Sequence, residues 1–154
     1  MIKKINNDIR KVDSDEEGLI ELLLIGDEQL DMIEKYLYKG DIFAIFKEEK
    51  MIGACVVTKE SQNIYELKNI SLDWKFQRLG YGQKMIMYIE NYYKNDENML
   101  IVGTGESPMT IDFYIKCGFE RYSKVKNFFI DNYDHPIYED GKQLVDMIYL
   151  KKKL

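Results

Sequence analysis

Residues 69–82, NISLDWKFQRLGYG, decide how the rest of the chain is interpreted. The segment from 64 to 73 is rich in β-branched and alternating apolar residues, which indicates a strand. After a short connector, Gly80 and Gly82 precede a helical pattern of apolar residues at Met85, Ile86, Ile89 and Tyr93. The first N–H groups of a helix lack internal partners and carry the positive end of its dipole. A strand, a glycine-containing turn and a helix start therefore predict an anion-binding site.

The glycine-containing turn does not match the common phosphate-binding loops. It lacks the Lys-Ser/Thr pair of a Walker A loop and the three-glycine spacing of a dinucleotide fold. Residues 77–82, QRLGYG, match instead the pattern Gln/Arg-x-x-Gly-x-Gly/Ala, and residues 113–119, FYIKCGF, are similar to a Tyr-x-Lys-x-Gly-Phe helix end. With both motifs in this order, the chain resembles the GCN5-related N-acetyltransferase (GNAT) family, in which the first motif binds the pyrophosphate of acyl-CoA.

The resemblance implies a fold and a domain organisation. The expected fold class is α/β, as a single N-acetyltransferase domain over residues 1–154. Its mixed central sheet would have about seven strands, with helices on both faces and one splayed pair of parallel strands. Residues 65–72 and 99–104 are the expected members of that pair.

The remaining elements are predicted from local patterns. They include an edge strand at residues 1–7 and a helix that a capping box of Ser14 and Glu17 begins. A second helix is expected to end with Gly40 as its C-terminal cap. Near the C-terminus, strands are predicted at residues 120–130 and 143–152, joined by the loop 131–142.

The resemblance also implies an activity. It predicts an N-acetyltransferase that moves an acetyl group from the cosubstrate acetyl-CoA directly to a primary amine, with a small cationic or peptide-like acceptor. Acetylation of a protein N-terminus or of lysine, and a non-catalytic module that senses acyl-CoA, remain alternatives. The sequence does not define the acceptor, because loops form that part of the site and no motif names it.

By resemblance, acetyl-CoA contacts the central strand, the glycine-containing turn and a later helix start. The expected binding residues are Ile70, Leu72, Gln77, Arg78, Leu79, Gly80, Tyr81, Gly82 and Ser107. Backbone groups of Ile70 and Leu72 would pair with the pantetheine amides, and one such N–H would act as an oxyanion donor. Ser107 departs from the family, where Asn is common, and the alternative is that it only caps a helix.

Tyr114 and Glu66 are the candidate catalytic residues. The Tyr114 phenol would protonate the leaving CoA thiolate, the alternative being that it is a packing aromatic beside Ile111 and Ile115. Glu66 would take the proton of the acceptor ammonium, often through water in this family. Its alternative is an exposed carboxylate paired with Lys68, and a bulge near the splay would change the face on which it lies.

The segment of residues 127–141, NFFIDNYDHPIYEDG, combines acidic and aromatic side chains. Its carboxylates are Asp131, Asp134, Glu139 and Asp140. Such a surface suits a cationic amine through carboxylate pairing and cation–π contact, the alternative being a solvated turn. The single histidine, His135, is not expected to act in the site.

Composition limits the classes of function. The chain has 154 residues, 45% of them hydrophobic, and a formal net charge of −5, which argues against binding to nucleic acid through phosphates. No apolar run is long enough to span a membrane, and no secretory signal is visible. Cys55 and Cys117 are too few and too far apart for a metal site or a disulfide framework. A cytoplasmic protein without metal, membrane or nucleic-acid partners is predicted, and homodimer formation is left open.

Overall fold

Strands and helices alternate along residues 8–154, the part of the chain that the computed structural model describes. The strands are β1 (Ile9–Val12), β2 (Asp41–Lys47), β3 (Lys50–Ser61), β4 (Ile64–Leu72), β5 (Met99–Gly105), β6 (Glu120–Val125), β7 (Tyr138–Glu139), β8 (Lys142–Gln143) and β9 (Met147–Lys153). The helices are α1 (Leu19–Gly26), α2 (Leu30–Leu37), α3 (Tyr81–Tyr92), α4 (Pro108–Lys116) and α5 (Phe128–Asn132). The edge strand predicted at residues 1–7 lies outside the described residues.

Seven of these strands form one mixed sheet, in the order β1-β2-β3-β4-β5-β9-β6, and β7 and β8 form a separate hairpin. Helices α1 and α2 cover one face of the sheet, where the buried side chains include Leu23, Ile33 and Ala44. Helices α3 and α4 cover the other face, with Ile86, Ile111 and Leu67 among the buried side chains. The predicted α/β fold, with helices on both faces of a seven-stranded mixed sheet, is confirmed.

The central parallel strands separate along their length. β4 pairs with β5 only from Ile64 opposite Met99 to Leu67 opposite Val102. Beyond that point, residues 68–72 have no neighbouring strand on the β5 side, while β5 continues to pair with β9 as far as Gly105. The splayed parallel pair predicted from the resemblance is therefore present.

A β-bulge at Lys68 marks the start of the splay. On β3, Val56 is opposite Asn69 and Val57 is opposite Leu67, so Lys68 is the extra residue of β4. Because an extra residue inverts the alternation of side chains, Ile70 and the residues that follow it at even numbers join the same core face as Leu67. Asn69 and Ser71 lie instead on the face that α1 covers, where both side chains contact the Leu23 carbonyl.

The predicted capping box does not form. Helix α1 begins at Leu19, and its N-cap is Gly18, whose φ of 84° lies in the left-handed region. The N–H of Leu19 donates to the carbonyl of Glu16 at 3.1 Å, so a turn occupies the positions that Ser14 and Glu17 would have held in a capping box.

The predicted cap of the second helix is also wrong. Helix α2 ends at Leu37 with Tyr38 as its C-cap, and Gly40 lies beyond it, next to the start of β2. Gly40 is needed instead for close packing, because a Cβ atom there would lie 2.7 Å from the carbonyl oxygen of Val57.

The segment after α4 differs most from its prediction. The predicted strand 120–130 ends at Val125, and the chain then turns at Asn127, whose φ of 57° is left-handed, into α5. The predicted loop 131–142 contains the end of α5 and most of the β7–β8 hairpin. Both differences have one cause, since these residues build a third small apolar cluster around Phe129, Ile137 and Leu144.

Candidate active site

A cleft of about 640 Å³ opens where β4 and β5 separate. Its walls come from both strands, the start of α3, α4, the connection between α1 and α2, and the segment that contains α5 and the β7–β8 hairpin. Of the residues predicted for the site, those on the wall are Ile70, Leu72, Gln77, Arg78, Gly80, Gly82 and Tyr114. Those off the wall are Glu66, Leu79, Tyr81 and Ser107.

The backbone of β4 presents hydrogen-bonding groups to the cleft. The N–H of Asp73 donates to the carbonyl of Ile52 on β3 at 2.9 Å. Because backbone groups alternate in direction along a strand, those of Leu72 and Ile70 point away from β3, towards the cleft. The Leu72 carbonyl accepts a hydrogen bond of 3.0 Å from Gln77 Nε2, which holds the following turn against the strand.

The first turn of α3 supplies free N–H groups at the same end of the cleft. The N-cap is Gly80, at φ 91°, and the N–H of Lys84 is the first to bond back to it, at 3.1 Å from its carbonyl oxygen. The N–H groups of residues 81–83 therefore have no acceptor within the helix. Gly82 is buried against α4, since a Cβ atom there would lie 3.2 Å from Phe113 Cζ.

The turn before α3 is held by its side chains from both sides. Arg78 adopts a left-handed φ of 62°, and its Nη2 lies 3.2 Å from Met109 Sδ on α4. Tyr81 packs edge-on against Phe76, at 6.0 Å between ring centroids. Leu79 is 63% exposed, so only its backbone is placed to take part in anion binding.

Tyr114 lies on the cleft wall with its ring fixed by neighbouring aromatics. The side chain is 5% exposed and packs edge-on against Phe113 and Phe119, with centroid distances of 5.1 and 5.6 Å. Burial raises the pKa of the Tyr114 phenol above its usual range, and the nearby Cys117 and Glu139 raise it further. The phenol therefore stays protonated at neutral pH and is available as a proton donor.

The two cysteines do not offer a nucleophile. Cys55 and Cys117 are both buried, and neither lies on the wall of the cleft. Burial raises the pKa of both thiols, which keeps them in the protonated, weakly nucleophilic form.

Glu66 lies at the start of the splay, on the sheet face opposite Leu67. Its side chain is buried, with Oε1 at 3.2 Å from Lys68 Nζ. Burial raises the pKa of the Glu66 carboxyl, and the charge of Lys68 opposes that rise. The pairing of Glu66 with Lys68 that the alternative interpretation expected is present, but the carboxylate is not exposed, and its role as a base stays a prediction.

Ser107 is the N-cap residue of α4, but its side chain makes no capping hydrogen bond. Its backbone is extended, and its carbonyl accepts the N–H of Ile111 at 3.0 Å, as an N-cap residue does. The hydroxyl is buried and has no hydrogen-bond partner among the described residues. The later helix start expected at Ser107 is therefore present, but the capping role proposed as the alternative for the hydroxyl is absent.

Sequence reasoning missed a polar network at the other end of the cleft. Asp27, directly after α1, accepts hydrogen bonds from the phenols of Tyr36 at 2.9 Å and Tyr133 at 2.7 Å. Tyr36 in turn accepts one from Asn69 Nδ2 at 3.0 Å, and Asn69 Oδ1 accepts one from Ser71 Oγ at 2.6 Å. All of these side chains except Tyr36 line the cleft. An acidic residue after a helix ordinarily indicates a solvated corner, so no local signal identified Asp27.

Only part of the acidic segment 127–141 lies on the cleft wall, and its contact with an acceptor stays a prediction. Glu139 lies on the cleft wall and accepts a hydrogen bond of 2.9 Å from Thr110 Oγ1. Asp131, Asp134 and Asp140 are not on that wall. Glu28, on the opposite side of the cleft, is a second carboxylate that the sequence analysis did not identify.

His135 joins the segment after α5 to the connection between α1 and α2, outside the cleft. Its Nδ1 lies 2.6 Å from Asp134 Oδ1, and its Nε2 lies 3.6 Å from Glu28 Oε1. The hydrogen bond to Asp134 is the main cause that raises the pKa of this exposed imidazole. His135 is not on the wall of the main cleft.

Comparison with known proteins decides the family. A family model described as "Acetyltransferase (GNAT) domain" matches residues 39–121, which include both splayed strands, the turn before α3, and α4. The chain belongs to the GNAT acetyltransferase family. The resemblance inferred from the two motifs is thereby confirmed.

Relatives of this GNAT chain match it over nearly its whole length. An uncharacterised N-acetyltransferase of Bacillus subtilis strain 168, YvbK, is 29% identical over 151 residues, which cover 97% of this chain and 96% of YvbK. A GNAT acetyltransferase from Elizabethkingia anophelis, solved with acetyl-CoA bound, is 32% identical with a TM-score of 0.89, over 95% of this chain and 97% of that one. A Bacillus subtilis acetyltransferase in complex with CoA is 29% identical with a TM-score of 0.86, over 95% of this chain and 97% of that one.

Two features are absent from residues 8–154, the part of this GNAT chain that the structure describes. No group of three or more His, Cys, Asp or Glu side chains in that part of the chain is arranged to hold a metal ion. No helix within it is long and apolar enough to cross a membrane.

Proposed function

We propose that this GNAT acetyltransferase moves the acetyl group of acetyl-CoA directly to a primary amine of a small cationic or peptide-like acceptor, with residues 1–154 acting as one N-acetyltransferase domain. The observation that carries the proposal is the backbone of Ile70 and Leu72, which faces the cleft without a strand partner, beside the free N–H groups that begin α3. The two relatives solved with acetyl-CoA or CoA support this choice of cosubstrate.

The groups on the cleft wall fit the two polar parts of acetyl-CoA. The amides of a pantetheine chain need donors and acceptors in extended register, which the Ile70 and Leu72 backbone supplies. A pyrophosphate needs converging N–H groups and positive potential, which residues 77–82 supply at the N-terminus of α3. The Ser107 hydroxyl in the β5–α4 connection has no partner among the described residues, but it is buried off the cleft wall, so a contact with pantetheine would require it to move.

Two groups of the chain then act on the thioester. The Leu72 N–H would donate to the carbonyl oxygen as negative charge develops there. The Tyr114 phenol, which is protonated at neutral pH, would donate its proton to the departing thiolate and regain one as the acylated nitrogen loses a proton. Since both thiols are buried and protonated, direct transfer to the amine is favoured over an acetyl-cysteine intermediate.

Glu66 is the proposed base for the acceptor ammonium. It lies off the cleft wall, so the proton would reach its carboxylate through water past Lys68, which is on the wall. A base must be deprotonated to act, and burial raises the pKa of Glu66. We therefore expect kcat/KM to be low at pH values below the raised pKa of Glu66 and to rise as the pH increases past that pKa.

Replacing Glu66 with Gln should remove that acidic limb and lower the kcat/KM plateau by about 100-fold, at the lower end of the range for losing a general base. The measurement is kcat/KM against pH, with one amine for all variants. Lys68→Met is the matched control, because Lys68 lowers the pKa of Glu66 and its loss should move the limb to higher pH. A limb unchanged in both variants would place the base elsewhere.

The proposed function is tested by acetyl-CoA turnover against spermidine, an aminoglycoside, free lysine and a short peptide with a free N-terminus. Release of CoA thiol and the mass of the acetylated product should agree for at least one small amine. Acetylation of the peptide alone would favour a protein acetyltransferase. Calorimetric binding of acetyl-CoA without turnover would favour a sensor, and absence of binding would overturn the proposal.

A further inference from the structure

We propose that Asp27 binds the positively charged amino group of the acceptor and thereby selects cationic amines. This inference rests on the proposed function and assigns its acceptor site to a residue outside the two sequence motifs. It is carried by the position of Asp27 on the cleft wall, by the fixed orientation of its carboxylate, and by the lack of a cationic partner for it.

Asp27 lies next to the part of β4 that would hold the thioester. The preceding residue, Gly26, packs so closely on that strand that a Cβ atom would lie 2.4 Å from Ser71 Oγ and 3.1 Å from the Ile70 carbonyl oxygen. The backbone therefore carries Asp27 from the end of α1 into the cleft beside the unpaired backbone of β4. An amine bound at this carboxylate would lie on the acceptor side of a thioester held by Ile70 and Leu72.

The carboxylate of Asp27 is held firmly but is not saturated. It accepts hydrogen bonds from the Tyr36 and Tyr133 phenols. A carboxylate has about four lone-pair positions, so positions remain for a donor from the cleft. The bond from Asn69 to Tyr36 fixes the network from the β4 side, and the orientation of Asp27 therefore needs no rearrangement when an amine arrives.

The charge of Asp27 has no counterpart in the described part of the protein. None of the ion pairs formed by residues 8–154 includes it. The residue is half-buried, and burial raises the pKa of its carboxyl, because a desolvated charge is costly without a cation beside it. A substrate ammonium would supply the missing positive charge.

The two other carboxylates on the cleft wall are less suited to this role. Glu28 is exposed, so solvent screens its charge. Glu139 accepts a hydrogen bond from Thr110 on α4 and lies near Tyr114. An ammonium bound there would lie on the side of the leaving thiolate and not on the acceptor side.

A structural tether is the competing explanation for Asp27. Tyr133 follows α5, and the neighbouring Asp134 N–H donates to Gln29 Oε1 at 3.0 Å, so this contact joins α5 to the α1–α2 connection. Tyr133→Phe removes the tethering hydrogen bond but keeps the charge of Asp27. Asp27→Asn removes the charge but keeps the size of the side chain. The two variants therefore separate the explanations.

The experiment measures KM and kcat for every amine of the panel that the wild-type enzyme acetylates, together with the Kd of acetyl-CoA. In Asp27→Asn, the amine KM should rise about 10- to 100-fold, as for the loss of a hydrogen bond to a charged group, while the Kd of acetyl-CoA stays the same. Glu28→Gln, the matched control on the same wall, should change the amine KM less than about threefold. Tyr133→Phe should raise the amine KM less than Asp27→Asn does, even where it lowers thermal stability as much.

A measurement on the wild-type enzyme covers the case in which Asp27→Asn does not fold. tert-Butylammonium, which carries N–H groups and a charge, should compete with the amine more strongly than tert-butanol, which has the same size and no charge. Equal inhibition by the two compounds would overturn the proposal, and so would an unchanged amine KM in Asp27→Asn or an equal rise in Tyr133→Phe. Failure of the wild-type enzyme to acetylate any amine would instead contradict the proposed function.

Discussion

Replacing Tyr114 with Phe is expected to lower kcat by about 100- to 10,000-fold, the range for removal of a general acid. The substitution removes one hydroxyl and keeps the ring that packs against Phe113 and Phe119. Since the phenol acts on the leaving thiolate, the Kd of acetyl-CoA should stay nearly unchanged. Stopped-flow measurement of a single turnover checks the chemical step even where product release limits steady-state turnover.

Tyr88→Phe is the matched control for that substitution. Tyr88 is a half-buried helical tyrosine that packs edge-on against Phe43 at 5.8 Å, and it does not line the cleft. Its variant should retain the wild-type single-turnover rate. If Tyr114→Phe also retained the wild-type rate, Tyr114 would have only a packing role, and water would have to protonate the thiolate.

The second large effect is expected at the phosphate end of the cleft. In the double variant Gly80→Leu/Gly82→Leu, affinity for CoA should fall more than about 100-fold, because two side chains would cover the N–H groups that begin α3. A Cβ atom at Gly82 also approaches Phe113 Cζ to 3.2 Å, whereas one at Gly80 has nothing within 4 Å. Calorimetric titration with CoA, beside thermal unfolding, separates lost binding from lost folding.

Gly141 provides the control for backbone strain. Its φ of 77° is left-handed like the 91° of Gly80, and a Cβ atom there also has nothing within 4 Å. Gly141→Leu should therefore lower the free energy of unfolding by about 1–2 kcal/mol, as the strain at Gly80→Leu would, without changing the affinity for CoA. Wild-type affinity in the double variant would be evidence against a phosphate site at residues 77–82.

The sequence predicted those parts of the fold and the candidate site that local patterns and the two motifs describe. Strands β4 and β5, the turn between Leu72 and α3, and the position of Tyr114 in α4 belong to this group. Each depends on residues close together in the chain, so periodicity, glycine positions and family resemblance were sufficient.

The acceptor side could not be predicted in the same way. The hydrogen bond between Tyr133 and Asp27 joins residues 106 positions apart, and neither residue carries a local pattern that marks it. Helix α5 was missed for a related reason, because Phe129 is buried by contacts with Ile137 and Leu144 that outweigh the strand-like pattern of its own segment.

The bulge at Lys68 has a consequence for how variants of this strand should be designed. The bulge divides β4 into two segments with opposite alternation of side chains. Odd-numbered residues face the large core up to Leu67, and even-numbered residues face it from Ile70 onwards. Deleting Lys68 would remove the bulge but leave Leu67 and Ile70 on the core face and Asn69 on the α1 face, because the two segments would then join in regular alternation. Deleting a different residue of the strand while the bulge is kept would instead turn the side chains on one side of the deletion to the opposite face, so Lys68 is the position at which β4 can be shortened without moving the polar network away from α1.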